Sequence, residues 1–162
     1  MERINYKEVP AGLMHVLLGV QAYVDKSGLE HSLLELVKLR ASQINKCGYC
    51  LDMHSKDAIH AGETVQRIVS LPAWKETSYY SERERAALAY TEALTLISEH
   101  HDLDAISEEL HTHYTKTEIA NLTVTITQIN TWNRVAISFG TTPGSYQVAE
   151  KKAVRQEEEV GV

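Results

Sequence analysis

With one short exception, the apolar residues that recur regularly in this chain recur at the helical spacing, and that restricts the fold more than any other feature of the sequence. Leu13, Val16, Leu17, Val20 and Val24 predict a helix over about 11–26, ended by Ser27 and Gly28. Leu33, Leu36, Val37, Arg40, Ala41 and Ile44 form one stripe along a second helix over 30–44, with a break at Asn45 and Lys46. A third helix begins at Cys47 or Gly48 and ends at Ala61 and Gly62, because glycine adopts the left-handed conformation that follows a helix. Thr64 caps a short helix to Leu71, Pro72 closes it, and 74–80 reads as a loop.

The second half carries two capping boxes. Ser81 with Glu84, and Thr115 with Glu118, pair a hydroxyl and a carboxylate that satisfy each other's free backbone N–H groups. The first starts a helix expected to reach His100, Asp104 is the expected cap of a shorter helix through His113, and the second starts a long helix to Phe139. One stretch competes: 122–127 alternates like a strand and is rich in β-branched residues. The helix is preferred because Ile119, Leu122, Ile126, Ile129, Asn133 and Ala136 keep helical spacing throughout, while the alternation has no partner strand. Gly140, Pro143 and Gly144 end the element. The expectation is an all-α fold in a single domain, 1–144, followed by a charged tail, 145–162, that is frayed or disordered.

A chain of 162 residues, 43% of them hydrophobic, suffices for one domain with a real core. The net charge of -6 and the lack of a lysine or arginine cluster argue against a nucleic-acid partner. No signal-like run follows Met1 and no segment approaches a membrane span, so the expected location is cytoplasmic, with no membrane partner.

That location gives meaning to the two cysteines. A reducing compartment makes a stabilising disulfide unlikely to be their purpose and favours a catalytic or metal role. Cys47 and Cys50 are two residues apart and can close a small disulfide ring, and a thiol at a helix start has its thiolate stabilised by unpaired N–H groups. His54 follows Cys50 by one helical turn and stands on the same face. A thioredoxin would need strands alternating with helices around the motif, and none are readable. Other readings stand beside the redox pair. Cys47, Cys50 and His54, with His31 or His60, could hold zinc, or the thiols could be inert core residues. Glu35 and His54 could be ordinary solvated helix positions. His15, His100, His101, His111 and His113 read as surface groups, and Trp74, Trp132, Tyr79 and Tyr80 as core or interface aromatics.

Glu35, Cys47, Cys50 and His54, with eleven residues between the glutamate and the first cysteine, resemble the pattern of the AhpD-like alkylhydroperoxidases of the carboxymuconolactone decarboxylase superfamily. The run from Leu39 to His54, the segment from Ser81 to Ala89 and the helix from Ala120 to Arg134 are similar to that family's core. The resemblance implies an all-helical fold, a homo-oligomer (trimer or hexamer), and reduction of hydroperoxides or disulfides. The only cofactor implied is the redox-active Cys47–Cys50 disulfide, recharged by an external dithiol or protein thiol. By the same resemblance Cys50 attacks the peroxide, Cys47 donates a proton and then resolves the sulfenate, and Glu35 and His54 form a proton relay. On one continuous helix twelve positions would set Glu35 about 120° from Cys47, so the chain must turn at Asn45 and Lys46. Burial among Leu34, Leu36 and Val37 is expected to raise the Glu35 pKa. The family's best-known members carry histidine where this chain has Tyr49, whose phenol is a poor shuttle at neutral pH; the resemblance therefore implies the dithiol chemistry and leaves the peroxiredoxin-regenerating role open. Superfamily lactone decarboxylases lack the cysteine pair. A redox-responsive binding or regulatory protein on the same scaffold is the alternative class.

Overall fold

In the computed structural model, residues 2–10 and 12–148 are described, and among them every regular element is helical. In chain order these are α1 (Leu13–Asp25), α2 (His31–Asn45), α3 (Gly48–His60), α4 (Val65–Ser70), a 3₁₀ helix (Leu71–Glu76), α5 (Glu82–Thr95), α6 (Leu103–His113) and α7 (Lys116–Phe139). The strand-like run in α7 is helical. Its threonines satisfy their hydroxyls inside the helix, Thr123 donating to the Ile119 carbonyl and Thr125 to that of Asn121, while Leu122 and Ile126 enter the core.

Helix α2 runs through the middle, with α3, α5 and α7 packed around it. One side of it, through Leu33, Leu34 and Val37, joins Ala87, Leu110, Leu122 and Ile126. Another side, through Leu36 and Leu39, joins Leu71, Trp74, Tyr80 and Leu88. A helix covered on all sides is expected to be apolar all round. This one is not: Glu35, Lys38 and Ser42 are buried too, and their spacing puts them on one stripe.

Several boundaries differ from those expected. Helix α5 stops at Thr95 rather than His100, and α6 is capped by Asp102, whose carboxylate accepts from the Ala105 N–H, leaving Asp104 in the first turn. Two aspartates two residues apart offer equivalent cap signals, and only the entering backbone decides between them. The stretch expected to be a loop is 3₁₀ as far as Glu76, because Trp74 is anchored there by its indole N–H to Glu92, 2.8 Å away. Trp74 and Tyr80 are core residues, Tyr79 is exposed. Of the tail, 145–148 lie beside α3, where Tyr146 donates to Asp57 at 2.8 Å; 149–162 lie outside the described residues.

Both capping boxes form, with Thr115 and Glu118 exchanging side-chain to backbone bonds at the start of α7. Replacing Thr115 by Ala is expected to cost about 1 kcal/mol and lower the midpoint of thermal unfolding by about 3 °C, read by far-ultraviolet circular dichroism; an unchanged midpoint would mean the box contributes nothing.

Candidate active site

The site begins at the turn between α2 and α3. Lys46 takes a left-handed backbone conformation (φ 57°), the one non-glycine residue to do so among those described, and its N–H and that of Cys47 return to carbonyls in the last turn of α2. The chain reverses there, as the Glu35 to Cys47 spacing required. Cys47 lands at the N-cap of α3 and Cys50 in its first turn, where the Cys50 N–H donates to the Cys47 Sγ at 3.4 Å. Both are free thiols and both are buried.

Position separates their chemistry. The Cys47 thiol is lowered to about 7 by its hydrogen bond with the Cys50 thiol, which outweighs burial, with further help from the Cys50 N–H, the Asn133 side chain and the Tyr49 N–H. The Cys50 thiol is pushed up by the same contact, by burial and by the Cys47 charge. As pH rises through neutral the pair therefore loses its first proton from Cys47, and Cys50 keeps its own. Asn133 is fully buried and belongs to a chain of amides behind the turn: its Nδ2 donates to Ser42 Oγ at 3.0 Å, and Asn45 Nδ2 donates to its Oδ1 at 2.9 Å.

Cys50, unlike Cys47, lines a cleft of about 920 Å³. Its apolar walls include Met14, Leu18 and Trp132, so this tryptophan faces the cleft rather than the core. Glu35, Lys38 and His54 face the same space. One Glu35 oxygen lies 2.9 Å from His54 Nδ1 and the other 3.0 Å from Lys38 Nζ. Against the expectation of a raised value, the Glu35 pKa is lowered to about 2: burial pushes it up, but the hydrogen bonds and charges of His54 and Lys38 outweigh that. An ionised Glu35 accepts from His54 Nδ1–H, so Nε2 is the nitrogen left to exchange protons. The Tyr49 phenol is raised by burial and takes no part in this pairing.

Of the four residues singled out in the sequence, Glu35, Cys50 and His54 line one cleft, and Cys47 lies beside Cys50 at the helix cap. His31 and His60 also line the cleft, whereas His15, His100, His101, His111 and His113 do not. The sequence did not mark Lys38, Asp57 or Asn133. A signal for Asp57 existed, since Cys50, His54 and Asp57 follow at intervals of four and three on one helix face. Atoms of Glu35, His54 and Asp57 lie within 4.8 Å of one another, a spacing that would suit a cation. The donors there are already taken: Lys38 and His54 occupy both oxygens of Glu35, and Tyr146 bonds Asp57. The thiols weighed as zinc ligands are not members of this group.

The Glu35 shift has a sign that can be measured. Its folded value of about 2 lies below the ordinary 4.5, so its stabilisation is complete above 4.5 and is lost as pH falls from there toward 2. Glu35→Gln, which leaves the buried Lys38 ammonium facing a neutral amide, is expected to cost about 3 kcal/mol at pH 7. In urea unfolding that gap to the wild type should narrow by pH 3; a gap constant across the range would contradict the assignment.

Comparison with known proteins identifies the family and the fold. Residues 7–93, more than half of the chain, match the profile of the carboxymuconolactone decarboxylase family. The uncharacterised protein YdfG of Bacillus subtilis is 38% identical over 139 residues, which is 86% of this chain and 95% of that protein. A crystal structure of a protein of unknown function from Agrobacterium tumefaciens, proposed as an AhpD antioxidant-defence protein, is 40% identical and superposes with a TM-score of 0.86 over 90% of this chain and all (100%) of that one. The alkyl hydroperoxide reductase AhpD of Rhodospirillum centenum is 31% identical over 64 residues, 40% of this chain and 31% of that protein.

Proposed function

Since the chain belongs to the carboxymuconolactone decarboxylase family, we propose that it is a thiol-dependent peroxidase that reduces organic hydroperoxides through Cys47 and Cys50. The observation that carries this is the placement of Cys50 on the cleft that also holds the Glu35–His54 pair, with Cys47 behind it at the helix cap. A cleft of about 920 Å³ with apolar walls is far larger than hydrogen peroxide needs, which favours an organic hydroperoxide.

At rest the shared proton sits on Cys50 and the charge on Cys47. The resting Cys47 thiolate takes that proton, which puts a thiolate on the sulfur that the substrate reaches. Cys50 then attacks the terminal oxygen of the hydroperoxide, the O–O bond breaks, and the departing alkoxide takes the proton from Cys47. Cys50 is now a sulfenic acid, and Cys47, again a thiolate, displaces hydroxide from it to form the disulfide. A proton from solvent, entering through His54, turns that hydroxide into water. One hydroperoxide and two thiol equivalents give one disulfide, one alcohol and one water. An external dithiol or protein thiol returns the pair to the reduced form.

No helix among the described residues is long and apolar enough to cross a membrane. Helix α1 nevertheless shows Leu13, Val16, Leu18, Val20 and Tyr23 to solvent and buries only Val24 deeply. This supports a homo-oligomer in which a second copy covers α1. Light scattering should find a trimer or larger; a single species of monomer mass would refute it.

The order of the sulfurs is tested by mass spectrometry of peroxide-treated variants with a sulfenate trap. Cys47→Ser should stop at a trapped sulfenate on Cys50, and Cys50→Ser should not be oxidised by peroxide. His54→Ala and Glu35→Gln should still form the disulfide, but about 10²-fold more slowly. A sulfenate on Cys47 in the Cys50→Ser protein would reverse the order. Disulfide formation without sustained peroxide consumption in the presence of a dithiol would replace the enzyme by a redox-responsive binding protein.

A further inference from the structure

Lys38 is the one lysine or arginine that is buried among the described residues, at 4% exposure. Lysine is almost never placed so unless something holds it, because removing an ammonium from water is costly. What holds it is a carboxylate that already has a partner. Lys38 Nζ lies 3.0 Å from Glu35 Oε1, while His54 Nδ1 lies 2.9 Å from Oε2, so each oxygen has its own cation or donor, one from α2 and one from α3. A rival for Oε1 is close by. His31 Nε2 is 4.0 Å from the same oxygen, and its ring is largely exposed, 63%, at the edge of the cleft.

We propose that Lys38 is a positioning residue for this dithiol chemistry: by occupying Glu35 Oε1 it keeps the carboxylate ionised and turned toward His54, so that His54 rather than Glu35 exchanges protons with the cysteine pair. The inference rests on the function proposed above and adds to it a residue outside the Glu35, Cys47, Cys50 and His54 set. Other charges around Glu35 make the need visible. From α2 it is faced by His31 and Lys38, and from α3 by Cys50, His54 and Asp57. Tyr146 approaches from the C-terminal segment, its own pKa raised in part by the Glu35 charge. Asp25 of α1, His60 of α3 and the phenols of Tyr6 and Tyr49 share the cleft more remotely. Asp57 and Asp25 would favour a protonated Glu35, and burial acts in the same direction. Lys38 is the fixed charge that opposes them. Were it absent, the carboxyl group could hold a proton and donate to His54, which would reverse the tautomer and turn the imidazole's acceptor inward.

The test is Lys38→Met, which keeps the length of the side chain and removes the charge, with Lys38→Arg as the conservative control. Two rates are followed from pH 4 to 9 on the reduced full chain: alkylation of the thiols by iodoacetamide, read by mass, and disulfide formation with cumene hydroperoxide. In the wild type Glu35 stays ionised throughout. In Lys38→Met an acid limb should appear, with both rates at pH 5 falling about 10-fold further below the wild type than they do at pH 8, as expected if the Glu35 pKa rises into this window. Lys38→Arg should restore the wild-type shape. Placing Lys38→Met in a Glu35→Gln background should produce no additional change of shape, because Lys38 acts through Glu35. A constant ratio to the wild type at every pH means packing alone and overturns the proposal, as does an acid limb that persists in the Glu35→Gln background. If Lys38→Met does not fold, Lys38→Gln is read by the same criteria. Should the alkylation profile shift while the wild type consumes no hydroperoxide, the peroxidase reading falls and the role of Lys38 stands; with peroxide consumption and a flat ratio, the opposite holds.

Discussion

The Glu35 carboxylate, with Lys38 on one oxygen and His54 on the other, is the contact that lets a helix carrying charged side chains run through the middle of this protein. Each of these groups alone would be too costly to bury. Together they leave no oxygen of the carboxylate unsatisfied, and they tie α2 to α3 across the face where the thiols lie. The apolar sides of α2 supply the stability of the bundle through Leu33, Leu36, Val37 and Leu39. From its polar stripe, Glu35 and Lys38 face the cleft instead.

A second constraint is the reversal at Lys46. A left-handed residue between two helices turns the chain sharply enough that the end of α2 and the start of α3 share a surface. Cys47 is then placed where a helix presents free N–H groups, and Cys50 one turn further on, facing the cleft. The amides of Asn45 and Asn133 fasten the turn from behind, and the Glu35 group fixes α3 from the front. The sulfurs owe their unequal acidity first to their mutual hydrogen bond, which this placement permits, and then to burial, which weighs on both, and to the N–H groups that favour a thiolate on Cys47.

How much of this could be read from the residues depended on the range of the physics involved. Helices, the break at Asn45 and Lys46, and both capping boxes are local matters, written in spacing and in pairs of residues three apart. So was the grouping of Cys47, Cys50 and His54, whereas Glu35, twelve positions before Cys47, was singled out only by the family resemblance. Lys38 was not legible, because a lysine three residues from a glutamate on a helix ordinarily marks a solvated face. Only the tertiary packing around α2 buries it. The same ignorance of neighbours reversed the sign expected for the Glu35 pKa: burial was foreseeable from Leu34, Leu36 and Val37, but not that the hydrogen bonds and charges of His54 and Lys38 together would outweigh it. Trp132 was placed in the core or an interface for a similar reason, since periodicity reports that a residue is covered from water and not whether it borders an empty space. The end of α5 and the choice between Asp102 and Asp104 depended on the path of the connecting backbone, which no spacing encodes.

On the dithiol chemistry proposed above, the Cys47 cap would also join electron transfer to local folding. In the reduced protein its sulfur accepts the Cys50 N–H and answers the positive end of α3 with partial negative charge. Closing a bond to Cys50 would neutralise that sulfur and weaken it as an acceptor, so the first turn of α3 would be less stable after each turnover than before it. By linkage, anything that holds this turn in helical form makes the reduced state more favourable by the same free energy. The reduction potential of the pair is thereby coupled to the reversal at Lys46 and to the amides behind it, and substitutions that touch neither sulfur could shift it.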